Sequence, residues 1–278
     1  AGTFTRGTST LKMTGAGKSL NYLSGEELGH LLIDNSSGTV TASVLTGTNN
    51  LTVSSLTIND SSASFTAPSG TLTIDNKVGD YAYDNDGTFV HSSGTMNITT
   101  SGTSRIDSNG TSGNINNLIY NSSGNTLETH TATTLDGYLT ITAGTIDTLS
   151  GSNLALTVTG TTTVTGTLTL NASTVDIGET LQAEGAGTIT CGNTNLTVGS
   201  LVILGTMTLP SASGSCTIDS EGTGSHGTNG LAIDINGTVT HNSGTVTITT
   251  PASTFLDIVP SSGTGLNSLL INHASCVA

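Results

Sequence analysis

The chain has 278 residues, of which 36 are Gly, 9% are charged and 3% are aromatic, with no Trp. A net charge of −14 argues against a nucleic-acid partner, because nothing here neutralises a row of phosphates. All five basic residues (Arg6, Lys12, Lys18, Lys77, Arg105) lie in the first 105 positions, and the eleven Asp or Glu that follow Ile106 stand without Lys or Arg, so the later chain has no polybasic membrane patch and no trypsin site.

Apolar residues alternate with Thr, Ser or Asn in short runs along the chain, as in Leu72-Ile74, Val158-Val164 and Leu168-Leu170. Alternation over a few residues is the signature of a half-buried strand, and Thr suits the outward positions because a β-branched side chain fits a pleated surface. The composition therefore predicts an ordered, all-β chain.

The strands fall into repeats. Three openings match: Gly2-Thr-Phe-Thr-Arg-Gly-Thr-Ser-Thr-Leu-Lys-Met, Gly87-Thr-Phe-Val-His-Ser-Ser-Gly-Thr-Met-Asn-Ile and Gly237-Thr-Val-Thr-His-Asn-Ser-Gly-Thr-Val-Thr-Ile. Each leads to an apolar strand, beginning at Leu31, Leu118 and Leu269. The back halves match as well: Leu51 to Ile58 recurs from Leu196 to Ile203 at an offset of 145, and Ala67 to Asp75 recurs from Ser211 to Asp219 at an offset of 144. The expected organisation is repeat one over residues 1–86, repeat two over 87–236 and the start of repeat three over 237–278, in one continuous solenoid. Most of the extra length of repeat two falls between about residues 132 and 195, where short strands follow one another at intervals of several residues. A right-handed parallel β-helix, or β-solenoid, uses about 20 residues per rung, so this insertion predicts about three whole rungs. Whole rungs lengthen a solenoid without disturbing its flanks, because each rung touches only its neighbours. Repeat three stops after its apolar strand, which reads as a fragment of a longer array, and the lack of a leader or long apolar run reads as an excised segment with no membrane insertion.

Candidate chemistry is sparse. The acids that could pair for glycoside cleavage are Glu26 and Glu27, Asp80, Asp84 and Asp86, Asp176 and Glu179, Glu184, and Asp219 and Glu221. Acids in turns are ordinarily solvated, and the few aromatics leave little for a sugar to stack on, so the expectation is a non-enzyme. Asp84-Asn-Asp-Gly87 resembles part of a calcium loop and makes Asp84 and Asp86 the one metal candidate, a weak one; the full pattern fails at Ala82 and Ser93, and an Asx-rich turn is the favoured reading of the run. No other cofactor is expected. The six histidines show no metal spacing; His91 and His241 occupy equivalent repeat positions and read as solvated strand residues. Cys191, Cys216 and Cys276 form no C-x-x-C, and the first two stand two residues from Ile189 and Ile218, on the inward parity of buried small hydrophobes. Thr161 to Thr169 raises the possibility of an ice-binding threonine array, against which the uneven spacing argues.

The Gly-Thr-Phe-Thr openings, Leu-Leu-Ile-Asp-Asn-Ser-Ser-Gly-Thr-Val-Thr from Leu31, and Leu-Thr-Val-Thr-Gly-Thr-Thr-Thr-Val-Thr-Gly-Thr-Leu-Thr-Leu from Leu156 resemble repeats of tailed-phage virion proteins, such as fibre and decoration proteins, and of secreted bacterial or archaeal surface proteins. The resemblance covers nearly the whole chain. It implies an extracellular or virion structural protein, or else an adhesin or filament subunit, that associates with itself or with other structural subunits; any host glycan would then meet a region outside this chain. It carries no site residues across.

Overall fold

Inward Leu, Ile and Val at every second position make strands that can bury one side only by stacking on another strand. The computed structural model describes residues 6–15, 17–23, 25–34, 38–44, 49–109, 113–219, 231–249, 255–263 and 265–272, and among these there is no helix. The solution is a β-solenoid in which every ladder between named strands is parallel, with successive turns roughly 23 residues apart. Two compact bodies divide at Asp136/Gly137.

In the N-terminal body three columns of strands stack in register. The first runs through Thr10–Met13, the ends of Glu27–Ile33 and Leu51–Ile58, then Tyr81–Asn85, Thr103–Asp107 and the end of Asn117–Thr129. The second is Lys18–Tyr22, Gly38–Val44, Ala63–Thr66 and Thr88–Val90. The third takes the beginnings of Glu27–Ile33 and Leu51–Ile58, then Thr71–Ile74, Thr95–Ile98 and the beginning of Asn117–Thr129. Several strands thus turn a corner without ending: in Leu51–Ile58, Leu51 and Val53 are buried on one column and Leu56 and Ile58 on the next.

The C-terminal body repeats this plan. Its first column passes from Leu139 through Thr162–Val164, Leu181, Leu201 and Ile233 to Leu256. Its second holds Thr145, Thr167, Thr188, Thr206, Thr238 and Ser262 in one ladder. Its third follows Leu156, Val175, Leu196, Cys216, Val246 and Leu269. The rung length is uneven. Thr188 to Thr206 is 18 residues, whereas Leu201 to Ile233 is 32, a step that includes residues 220–230 outside the described set. Registers shift locally at Thr169/Asn171, Ile177/Thr180 and Leu231/Ile233, and the rest of the difference lies in the corners.

The interior of the N-terminal body includes the buried rings of Tyr22, Phe65, Tyr83, Phe89 and Tyr120, and in the C-terminal body Leu168, Ile189, Met207 and Val239 form one wholly buried ladder. Each such side chain contributes about 1.5–3 kcal/mol of burial. Three pairs of interior hydroxyls meet one another, Thr148 with Ser173 at 2.7 Å, Thr180 with Ser200 at 2.8 Å and Thr100 with Ser104 at 2.6 Å, whereas the buried hydroxyls of Thr129 and Thr162 have no hydrogen-bond partner. Between the first and second columns of the C-terminal body, Gly166, Gly187, Gly205 and Gly237 stack rung on rung. A Cβ on Gly187, Gly205 or Gly237 would overlap the carbonyl oxygen of Val164, Gly187 or Gly205, respectively. These glycines are required by close approach of backbone to backbone.

The sequence repeats have structural counterparts. Strands Thr10–Met13, Thr95–Ile98 and Thr245–Ile248 each pair with the apolar strand that follows them, Leu11 opposite Leu31, Met96 opposite Leu118 and Val246 opposite Leu269. The opening of repeat one, however, lies on the first column, whereas that of repeat two lies on the third.

Candidate functional site

His91 and His241 correct their sequence reading. Neither lies within a strand; each opens a turn directly after Val90 or Thr240. Ser92 and Ser93 have φ of 50° and 59°, and Asn242 and Ser243 have 46° and 64°. The amide of Gly94 donates to the His91 carbonyl at 2.8 Å, and that of Gly244 to the His241 carbonyl at 3.1 Å. Two successive left-handed residues closed by such a bond form a type I′ turn, which ordinarily calls for Asn or Gly. Here the imidazole compensates: Nδ1 of His91 accepts from the Ser93 amide, and Nδ1 of His241 from the Ser243 amide, both at 2.9 Å. The shared histidine is a turn-forming device. In His91 the proton therefore sits on Nε2, which faces Asp136 Oδ2 at 3.2 Å, and Asn114 Nδ2 donates to Asp136 Oδ1 at 2.7 Å. This group lies along a shallow cleft of about 580 Å³ that Val90 and Ser93 also line.

An ionisable cluster stands on the first column of the N-terminal body. Asp84 and Asp107 are opposite residues on adjacent rungs. His130 Nδ1 lies 3.4 Å from Asp107 Oδ2 and 3.1 Å from the Tyr81 hydroxyl, with the two rings edge to face. Arg105 bridges Glu128 (Nε to Oε2, 2.9 Å) and Asp80 (Nη1 to Oδ2, 3.1 Å). Burial raises the Asp84 carboxyl above its ordinary value, Asp86 and Asp107 raise it further, and His130 draws it down. The calcium candidates Asp84 and Asp86 flank Asn85, which points into the interior and whose Oδ1 takes the Gly87 amide at 3.1 Å. Among the described residues no group of three or more His, Cys, Asp or Glu could hold a metal ion.

The other acids are dispersed. Glu26 accepts from the Leu23 amide and Glu27 pairs with Arg6 at 3.4 Å. Asp176 points outward on the third column of the C-terminal body, Glu184 accepts from Gln182 at 2.5 Å, and Asp219 follows the strand Ser215–Ile218. Glu221, His226, His273 and Cys276 lie outside the described residues. Cys191 and Cys216 are both buried thiols, as their parity predicts; burial pushes Cys216 up to about 12 and Cys191 higher still, helped by its neighbour Cys216.

Two features escaped the sequence. The second column of the C-terminal body presents Thr-x-Thr on four consecutive rungs: Thr167 and Thr169, Thr188 and Thr190, Thr206 and Thr208, Thr238 and Thr240, all in register. The uneven spacing that obscures this in the sequence lies outside these paired segments. The second is a cleft of about 460 Å³ beside Tyr138, Gly160, Thr161 and Glu179. Its signal was Gly137-Tyr138 ahead of a buried Leu139, an aromatic on outward parity.

Comparison with protein-family models, with curated proteins and with solved structures finds no match in any of the three.

Proposed function

We propose that this chain is a non-catalytic structural β-solenoid of an extracellular assembly, a virion fibre, tail or capsid-decorating component. One observation carries the reading: in each body the inward ladders continue from rung to rung, so that nearly every strand serves to stack on its neighbours. Such a scaffold gains stability additively, rung by rung, and needs neither disulfide nor ion pair at its centre. An adhesin or surface-filament subunit uses the same scaffold and is the alternative within this class. Antibodies raised against the chain decide the matter: label on purified particles supports a virion component, label on the cell exterior supports the alternative, and label confined to the cell interior overturns both. Rapid depolymerisation of a host polysaccharide by the purified protein would overturn the non-catalytic part.

A second reading has one specific observation behind it, the in-register Thr-x-Thr face. Adjacent strands stand about 4.8 Å apart and alternate residues about 6.7 Å apart, so the threonines form a two-dimensional array of methyl and hydroxyl groups with spacings near those of water oxygens on ice faces. Strand propensity alone does not explain the purity of the face. The third column of the same body mixes Thr174, Asn195 and Ser215 in one ladder and places Asp176 beside Thr197 and Thr217 in another. An ice binder of this kind shapes ice crystals and opens a gap between freezing and melting points, and Thr190→Lys with Thr206→Lys abolishes both. Unshaped crystals with the folded wild-type protein sink this reading and leave the first untouched.

A further inference from the structure

We infer that the cleft beside Tyr138 is a binding subsite for an uncharged, hydroxyl-rich saccharide. This goes beyond the scaffold reading and stands on its own observations. The cleft is shallow and open to solvent, with about 460 Å³ of space along the surface.

Its construction is local to the C-terminal body. Gly137 and Gly160 occupy successive rungs at a corner, with the Gly160 amide donating to the Gly137 carbonyl at 2.8 Å. Neither carries a side chain, so the floor between them is bare backbone, and a Cβ on Gly160 would come within 2.9 Å of the Gly137 oxygen. On one side stands the ring of Tyr138, 38% exposed, whereas Tyr22, Phe65, Tyr83, Phe89 and Tyr120 are buried. On the other, Glu179 is fixed at the rim because one of its oxygens, Oε2, accepts from the Thr161 hydroxyl at 2.9 Å. Thr140 and Thr163 are opposite residues on adjacent rungs and line the wall.

The chemistry selects the ligand class. A sugar ring has an apolar face that packs on an aromatic ring and an edge of hydroxyls that both donate and accept. Tyr138 supplies the first surface; a carboxylate and threonine hydroxyls meet the second with an acceptor and with groups of both kinds. Charge narrows the class further. No Lys or Arg occurs from Ile106 to Ala278, so phosphates and uronic acids find no cation here and meet the Glu179 carboxylate instead. The remaining competitor is a quaternary ammonium compound, which also favours an aromatic face beside a carboxylate.

The test titrates the full chain, by calorimetry and ligand-observed NMR, with maltohexaose, cellohexaose, N-acetylchitohexaose, hexagalacturonate and choline. At least one neutral hexasaccharide binds; hexagalacturonate and choline do not. Tyr138→Ala weakens the binding about tenfold, the loss of one stacking contact. Tyr138→Trp retains or strengthens it, which separates a lost platform from a misfolded chain, and Glu179→Gln weakens it by a smaller factor. The proposal fails if no neutral hexasaccharide binds, if choline binds more tightly than the sugars, or if folded Tyr138→Ala binds as the wild type does.

Discussion

His30 Nδ1 lies 2.7 Å from the hydroxyl of Ser55, its register partner on the next rung, and both side chains are buried. Burial lowers the imidazole below its ordinary 6.5, with a smaller opposing effect from a hydrogen bond with the Ser55 backbone. The unfolded chain therefore takes up a proton at a higher pH than the folded one. Stability from this site is fully present above pH 6.5 and is lost as pH falls from there through the folded value. His30→Gln, which cannot titrate, is expected to flatten this part of the pH dependence of the urea midpoint. An unchanged acid limb would show that His30 is not its source.

Asp84 acts with the opposite sign. Its carboxyl is raised above 3.8, first by burial and then by Asp86 and Asp107, so the folded chain holds the proton more tightly than the unfolded chain. Stability falls as pH rises from 3.8 through the folded value, and the ionised group is a net cost above it. Asp84→Asn is expected to raise the melting temperature at pH 7 and to lose that advantage as the pH approaches 3.8. A variant destabilised at pH 7 would mean that the charged form is favoured by contacts stronger than its burial cost.

The difference between what was and was not legible in the sequence follows from period and parity. Alternation located Leu72, Ile74, Leu168 and Leu170 on the inside, and it placed Cys191 and Cys216 there too. Self-similarity paired the openings with their apolar strands, because equivalent sequences make equivalent ladders. Corners carry no such period. Leu51–Ile58 reads as one strand, yet Ser54 and Ser55 take it round a corner between two columns, and with it the inward parity changes so that Ser55 faces His30. The threonine face was hidden for the same reason: steps of 21, 18 and 32 residues separate Thr167, Thr188, Thr206 and Thr238, and the variation lies outside the paired Thr-x-Thr segments. The His91 turn was invisible because its residues, Ser92 and Ser93, are not the ones that left-handed backbone prefers.

The glycine stack between two columns gives a contrast within one corner. A Cβ on Gly205 would overlap the carbonyl oxygens of Gly187 and Glu184, whereas one on Gly185 would meet nothing within 4 Å. Gly205→Ala must push two rungs apart and is expected to cost about 1–3 kcal/mol, as overpacking does. Gly185→Ala is expected to stay within about 0.5 kcal/mol of wild type, as surface changes do. Urea unfolding of both variants gives the comparison, and equal midpoints would show that the rungs separate without cost.

Cys191 and Cys216 point into the interior of the C-terminal body, and their raised thiols have a chemical consequence. The thiolate is the nucleophile, and burial takes Cys216 from 9.0 up to about 12, with Cys191 above it, so the reactive fraction in the folded chain at neutral pH is far below that of a free cysteine. Access is closed as well, since labelling would have to part adjacent rungs. In a Cys276→Ser background, iodoacetamide is expected to leave the native protein unmodified over hours and to label both thiols at once in guanidinium. Because the two lie in one body, their labelling rates near the unfolding transition should rise together and report the opening of that body. Labelling of either thiol within minutes under native conditions would show that the rungs around it open locally, and labelling of one long before the other would show that the solenoid frays rung by rung rather than opening as a unit.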